Sequence, residues 1–201
     1  MNSLPTFHIQ AGFAPQHRAK VADLFWSAFG GKLGRVMRPE PRALRFLTEV
    51  ADPAHAISAV DLEGALVGVA GFKTSQGALV GGGFSELAMA YGSWGALWRA
   101  PLLALLERPV VPGALQMDGI FVESRARGLG IGTALLAAVR EEALRRGDRS
   151  ILLDVIDSNP RARALYERNG FVAESTASLG PLRHLFGFRQ ATTMRCSLEP
   201  S

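Results

Sequence analysis

The chain is short of thiols, of lysine and of long apolar runs, and each shortage excludes a class of protein. Cys196 is the single cysteine. It has no partner for an intrachain disulfide and no companions at metal-ligand spacing, which excludes a disulfide scaffold and fits a reducing compartment. It reads as a core or strand thiol rather than a nucleophile. His8, His17, His55 and His184 stand far apart with no ligand spacing, so no metal is expected. Arg99 and Glu107 cut the most apolar stretch, and no uncharged run of about 18 residues is left to span a bilayer. Met1 to Gln10 lacks the basic and apolar regions of a secretion signal, so a soluble, cytoplasmic protein with no membrane partner is expected. The lysines are Lys20, Lys32 and Lys73, so the net charge of +4 and the pI near 9.8 rest on arginine. Those arginines are scattered, without a basic run interleaved with aromatics. That argues against nucleic acid and for a local cluster facing a small polyanion.

The chain does have well-placed glycine. In Arg127-Gly128-Leu129-Gly130-Ile131-Gly132, three glycines fall within five positions. An apolar run with strand character, Leu115 to Val122, enters this turn, and an amphipathic helical pattern, Ile131 to Arg146, leaves it. Such a turn leaves main-chain N–H groups unshielded. The start of the helix adds orphan donors and the positive end of its dipole, so a pyrophosphate can be held largely by backbone. Arg125 and Arg127, with Arg161 or Arg163, supply the charge cluster. A triphosphate P-loop is excluded because no lysine lies near the turn. A dinucleotide fingerprint is incomplete, with Thr133 at its last glycine position, although Asp154 falls roughly 20 residues on, where a ribose ligand would be.

The turn resembles motif A of the GNAT superfamily of N-acetyltransferases, Q/R-x-x-G-x-G/A after a splayed strand, with Arg127, Gly130 and Gly132 filling the pattern. Downstream, Asn159-Pro160-Arg161-Ala162-Arg163-Ala164-Leu165-Tyr166-Glu167-Arg168-Asn169-Gly170-Phe171 resembles the family's N-x-x-A-x-x-L-Y-x-x-x-G-F segment. The two matches come in the right order, which is far more specific than either alone. They cover roughly the C-terminal half; the other half carries only a compatible element order.

Length and an apolar content of 48% allow one sizeable core, so residues 1–201 are expected to form one domain. A strand over Phe7 to Phe13 precedes a helix opened by Pro15, with Val21, Leu24, Phe25, Ala28 and Phe29 inward and Gly30-Gly31 as its stop. A second helix, Glu40 to Ala51, turns Leu44, Leu47 and Val50 inward. Strands Ala56 to Asp61 and Leu66 to Phe72 then flank a hairpin turn at Glu63-Gly64. Gly81-Gly82-Gly83 reads as a flexible joint before a helical insertion over about 83–108, bent or divided at Gly92, Gly95 and Pro101. Its stripe of Phe84, Leu87, Ala88, Tyr91, Trp94 or Gly95, Trp98, Leu102 and Leu105 reads as core or homodimer contact ahead of a ligand pocket. A helix burying Ile131, Leu135, Val139 and Ala143 and capped by Gly147 leads to a buried strand, Ser150 to Ile156. Two last strands are expected at Phe171 to Ser175 and Thr192 to Leu198. The order is mixed α/β and matches the GNAT fold, whose central, mostly antiparallel twisted sheet is splayed between its fourth and fifth strands and flanked by helices.

The resemblance also implies a reaction. Acetyl-CoA, the co-substrate, would lie between the strand ending at Val122 and the strand ending at Ile156. The main chain of Ile120, Phe121 and Val122 would pair with pantetheine. Donors at Arg127, Gly128, Leu129, Gly130, Ile131, Gly132 and Thr133 would hold the pyrophosphate. Asn159 is a ligand contact or, with Pro160 behind it, a helix cap. A primary amine would attack the thioester directly in a ternary complex, with a strand N–H near Ile120 or Phe121 stabilising the carbonyl oxygen. Tyr166 fills the position of the acid that protonates the departing thiolate. For the base, Asp118 lies two residues from Ile120, on its face by alternation, though a structural hydrogen bond is an equal reading; Glu123 and a water chain are alternatives. A small amine is expected as acceptor ahead of a protein, since the apolar insertion can roof a pocket. Two other readings stay open: a non-catalytic acyl-CoA-binding regulatory module, and a Rossmann-type dinucleotide-binding oxidoreductase.

Overall fold

Strand burial decides strand order. The computed structural model describes residues 7–104 and 109–198. It contains β1 (Phe7–Ala11), β2 (Ala56–Asp61), β3 (Leu66–Thr74), β4 (Gly77–Ala78), β5 (Ala114–Val122), β6 (Ser150–Ile156), β7 (Val172–Ser178) and β8 (Gln190–Ser197). The sheet runs β1-β2-β3-β5-β6-β8-β7, with β4 attached to β3. β2, β3 and β6 are apolar on both faces and lie inside the sheet, whereas β7, exposed along its whole length, is an edge. Every pair is antiparallel except β5–β6.

Helices cover both faces. On one, α1 (Arg18–Met37), α2 (Glu40–Val50), α3 (Phe84–Tyr91), α4 (Ser93–Ala104) and α7 (Arg183–Phe186) share a core with Val69, Leu79 and Phe121. On the other, α5 (Ile131–Arg146) and α6 (Pro160–Arg168) pack on Leu115, Met117, Ile151 and Leu153. Ile131, Leu135, Val139 and Ala143 of α5 are buried as their spacing requires, and Gly147 ends the helix in the left-handed conformation. Arg140 of the same helix reaches the Asn169 carbonyl and the sulfur of Cys196, a buried core thiol.

Three local expectations change. Gly30-Gly31 does not stop α1, which continues to Met37. Two helical glycines cost about 2 kcal/mol, offset by burial of Val36 and Met37 and by caps on the helix end. Tyr91 Oη donates to the Met37 carbonyl at 2.6 Å, and the Arg99 guanidinium donates to Val36 at 2.8 Å and Arg38 at 3.1 Å. In α2 the buried face is Ala43, Phe46 and Leu47, with Val50 half-buried against the same core as expected; Leu44 is not part of that face. Gly82 is a packing glycine and not a loose joint: a Cβ there would meet the Phe46 ring at 2.6 Å. The insertion forms two helices broken at Gly92, as expected. Its stripe divides, with Leu87 and Tyr91 in the core and Trp94 85% exposed; Leu105 lies outside the described residues. No described helix is long and apolar enough to cross a membrane.

Candidate active site

Among the described strands, β5–β6 is the one parallel pair and also the shortest main ladder. β5 meets β6 from Ala114–Ser150 to Met117–Leu153, and beyond that Asp118 to Val122 has no partner on the β6 side. This is the splay, and β5 supplies its wall. The Glu123 amide donates to the Val67 carbonyl at 2.9 Å. Antiparallel alternation therefore turns Phe121 toward β3 and leaves the main-chain groups of Ile120 and Val122 facing the gap. The Phe121 ring packs edge-on against Phe25 and Phe29 at 5.4 Å.

A bulge sets which side chains reach the gap. Gly71 pairs with Gly119 but Phe72 pairs with Met117, so Asp118 is the extra residue. The period-two alternation expected to place Asp118 beside Ile120 does not survive it. Ile120 packs on the α5–α6 core, whereas Asp118 is hydrogen-bonded by the amide of Leu79, which belongs to the α1 core. Burial pushes Asp118 up to about 6, against the nearby Lys73 charge, the Leu79 amide and the His55 ring, and its Oδ2 is buried without a hydrogen-bond partner. A carboxylate so placed is ionised at neutral pH yet basic enough to take a proton. Glu123 is different. Its carboxylate is held below its ordinary range by hydrogen bonds from Lys20 at 2.7 Å and Arg125 at 2.8 Å, so it is a weak base.

Tyr166 lies on the other side of β5. α6 carries it inward, with its ring 5.7 Å from Phe171, and its oxygen is hydrogen-bonded by the Ile120 amide. Burial pushes the phenol up to about 12 despite that bond, so it stays protonated. Asn159, at the start of α6, accepts from Ala162 N–H at 3.2 Å and thus caps the helix.

The glycine turn joins β5 to α5. Gly128 at φ +85° and Gly130 at φ +82° adopt the left-handed region that favours glycine, and a Cβ on either would meet open space. Gly130 is the N-cap and offers no side-chain acceptor, so the first amides of α5, at Ile131, Gly132 and Thr133, keep the unpaired donors of a helix start. Leu129 and Thr133 are exposed and Ile131 is buried beneath. Arg127 folds back, its Nε 3.3 Å from the Val122 carbonyl. Open space above φ-positive glycines and an uncapped helix start suit a pyrophosphate. Gly132 serves packing: a Cβ there would stand 3.1 Å from Leu165, the neighbour of Tyr166 on α6.

Gln116 belongs to neither sequence motif. It precedes Met117 on β5, and its Oε1 is buried without a partner. The available signal was two polar residues, 116 and 118, at alternate positions of an otherwise apolar strand. Two open grooves lie away from this gap, one along β7 and one of about 760 Å³ between β1 and α5. In the second, Glu142 pairs with Arg145 and Arg146.

Comparisons with known proteins agree with this geometry. The model of the acetyltransferase (GNAT) family matches residues 18–171. A curated acetyltransferase of Agrobacterium fabrum is 43% identical over 70 residues, or 35% of this chain and 48% of that protein, so the match spans about half the relative's length. Among solved structures, a GCN5-related N-acetyltransferase from Kribbella flavida superposes with a TM-score of 0.62 at 18% identity, covering 96% of this chain and 98% of the other. An N-acetyltransferase from Staphylococcus aureus gives a TM-score of 0.63 at 16% identity, covering 94% and 99%. At these identities the superpositions show the shared fold, and the match of the family model over most of the sequence places the chain in the GNAT family of acetyltransferases.

Proposed function

We propose that this protein transfers an acetyl group from acetyl-CoA to a small primary amine by direct attack in a ternary complex. The observation that carries this reading is the pair of proton-handling groups on opposite faces of β5 at the splay, Asp118 on the α1 side and Tyr166 on the α6 side. The gap-facing main chain of Ile120 and Val122 would align pantetheine. The turn from Arg127 to Thr133 would hold the pyrophosphate, with Arg125 exposed nearby.

Asp118 takes a proton from the incoming ammonium, which frees the nitrogen lone pair. The amine then attacks the thioester carbon, and the Ile120 N–H, which donates to the Tyr166 oxygen, holds that phenol beside the departing sulfur. Tyr166 donates a hydrogen bond, and finally a proton, to that sulfur. A binding-only module would need the turn but neither of these groups. The test is release of free CoA from acetyl-CoA across a panel of amines. Turnover with at least one amine supports the reading, and acetyl-CoA binding without turnover on any would favour the regulatory module.

A further inference from the structure

Gln116 and Asp118 flank Met117, the last β5 residue paired with β6. Met117 faces the α5 core, so Gln116 before it and Asp118 after it both face the α1 side, and the bulge reverses the parity only beyond Asp118. Among the described residues, buried side-chain polar atoms without a partner number three: Gln116 Oε1, Asp118 Oδ2 and His17 Nδ1. Two of the three therefore sit together at the mouth of the splay, and both are hydrogen-bond acceptors. Buried acceptors left unpaired are costly and uncommon, so such a pair marks where a donor is meant to come.

We propose that Gln116 and Asp118 together bind the acceptor's nitrogen, selecting a cationic primary amine that gives one N–H to Gln116 Oε1 and another to Asp118 Oδ2. This rests on the acetyltransferase reading above and names its acceptor chemistry. The ammonium has three N–H bonds. One proton passes to Asp118 and on to solvent. A second N–H stays on Gln116 Oε1 and fixes the direction of the lone pair. As the C–N bond forms and the C–S bond breaks, the nitrogen loses one more proton, which balances the proton gained by sulfur through the Tyr166 hydroxyl. The product amide keeps one N–H. An alcohol has a single O–H and satisfies one acceptor only, and a tertiary amine leaves no N–H after proton loss.

The test uses the full chain with Gln116→Leu and Gln116→Glu, assayed with a primary alkylamine found by the panel, its N,N-dimethyl derivative and the matching alcohol. Gln116→Leu is expected to raise the amine KM by roughly tenfold or more, with the affinity for acetyl-CoA within about twofold of wild type and the Tm not lowered. Gln116→Glu keeps an acceptor oxygen and adds a negative charge beside Asp118. It should hold the amine KM within about threefold of wild type and move the acid limb of kcat/KM to higher pH. Unchanged amine KM in Gln116→Leu, or an alcohol used as well as the amine, overturns the proposal while leaving acetyl transfer standing. A wild-type protein that binds no acetyl-CoA overturns both.

Discussion

Tyr166→Phe separates what the phenol oxygen does from what its ring does. The ring's packing on Phe171 is kept, so no cavity opens. What is lost is the oxygen that accepts the Ile120 N–H. One unpaired amide at the edge of the gap costs about 1–2 kcal/mol, a fall in Tm of roughly 2–8 °C for a chain of this size. The catalytic effect is larger. Burial holds the phenol at about 12, so complete transfer to a thiolate of pKa about 8.5 is uphill by roughly 5 kcal/mol. Most of the contribution is then a hydrogen bond to the developing charge, with proton transfer completing as sulfur leaves. Its removal should lower kcat by about 10²-fold and leave the affinity for acetyl-CoA within about twofold. The assay is chromogenic detection of free CoA at saturating amine, alongside calorimetry of acetyl-CoA binding. Because the folded phenol titrates near 12 and the unfolded one near 10, its contribution to stability is complete below pH 10 and is lost as pH rises through 12. Any alkaline limb of kcat below about pH 10 must therefore belong to another group and persist in the variant. Wild-type kcat in Tyr166→Phe would refute the argument and leave water as the proton source.

Asp118→Asn should abolish most turnover and remove the acid limb of kcat/KM near pH 6. It should also stabilise the fold by about 1–3 kcal/mol at neutral pH, because the wild-type carboxyl ionises at 3.8 when unfolded but near 6 when buried, so stability is lost as pH rises across that window; thermal melts at pH 4 and pH 7 read this directly. Gly130→Glu sets a carboxylate before the uncapped start of α5 and should weaken acetyl-CoA binding by at least about tenfold with the fold retained; calorimetry showing unchanged affinity would remove the turn from the site. Arg99→Ala removes three hydrogen bonds to carbonyls and stacking on Tyr91 and Trp98, each 4.1 Å from the guanidinium carbon. A loss of about 2 kcal/mol, seen as a Tm lower by roughly 4–8 °C, is expected.

Much of the sheet was legible because its signals are local. The buried strand Ser150–Ile156, the helix Ile131–Arg146 with Gly147 behind it, and the Glu63-Gly64 turn are each written within a few residues, by period, cap and turn chemistry. The misreadings are positions where a distant contact decides. Gly30-Gly31 fails to end α1 because Arg99 and Tyr91, more than 50 residues away, satisfy the helix-end carbonyls. Gly82 and Gly132 share a residue type with Gly130 but serve close packing on Phe46 and Leu165, which no local pattern reveals. At the site, Tyr166 and the turn come from a spaced motif, and Asp118 from its place on the strand. The register defect that orients Asp118 depends on pairing with β3 and is invisible in β5 alone.

That defect has a larger consequence. In a regular strand Gln116, Asp118 and Ile120 would share a face, and the α6 tyrosine would meet the same side of the strand as the carboxylate. The extra residue reverses the parity after Asp118, so Ile120 turns to the α6 core while Asp118 stays with α1. One strand thereby carries Asp118 toward α1 and, two residues on, an amide bonded to Tyr166 on the α6 side. The bulge also ends pairing with β6, since Met117–Leu153 is the last rung. The opening of the gap and the separation of Asp118 from Tyr166 thus coincide at one irregularity of β5. Gly71 and Gly119 flank it, and a Cβ on Gly71 would stand 2.4 Å from Leu79, whose amide binds Asp118. Gly71 thus has a physical reason independent of the cofactor: it lets the Leu79 segment approach closely enough for its amide to bind the Asp118 carboxylate.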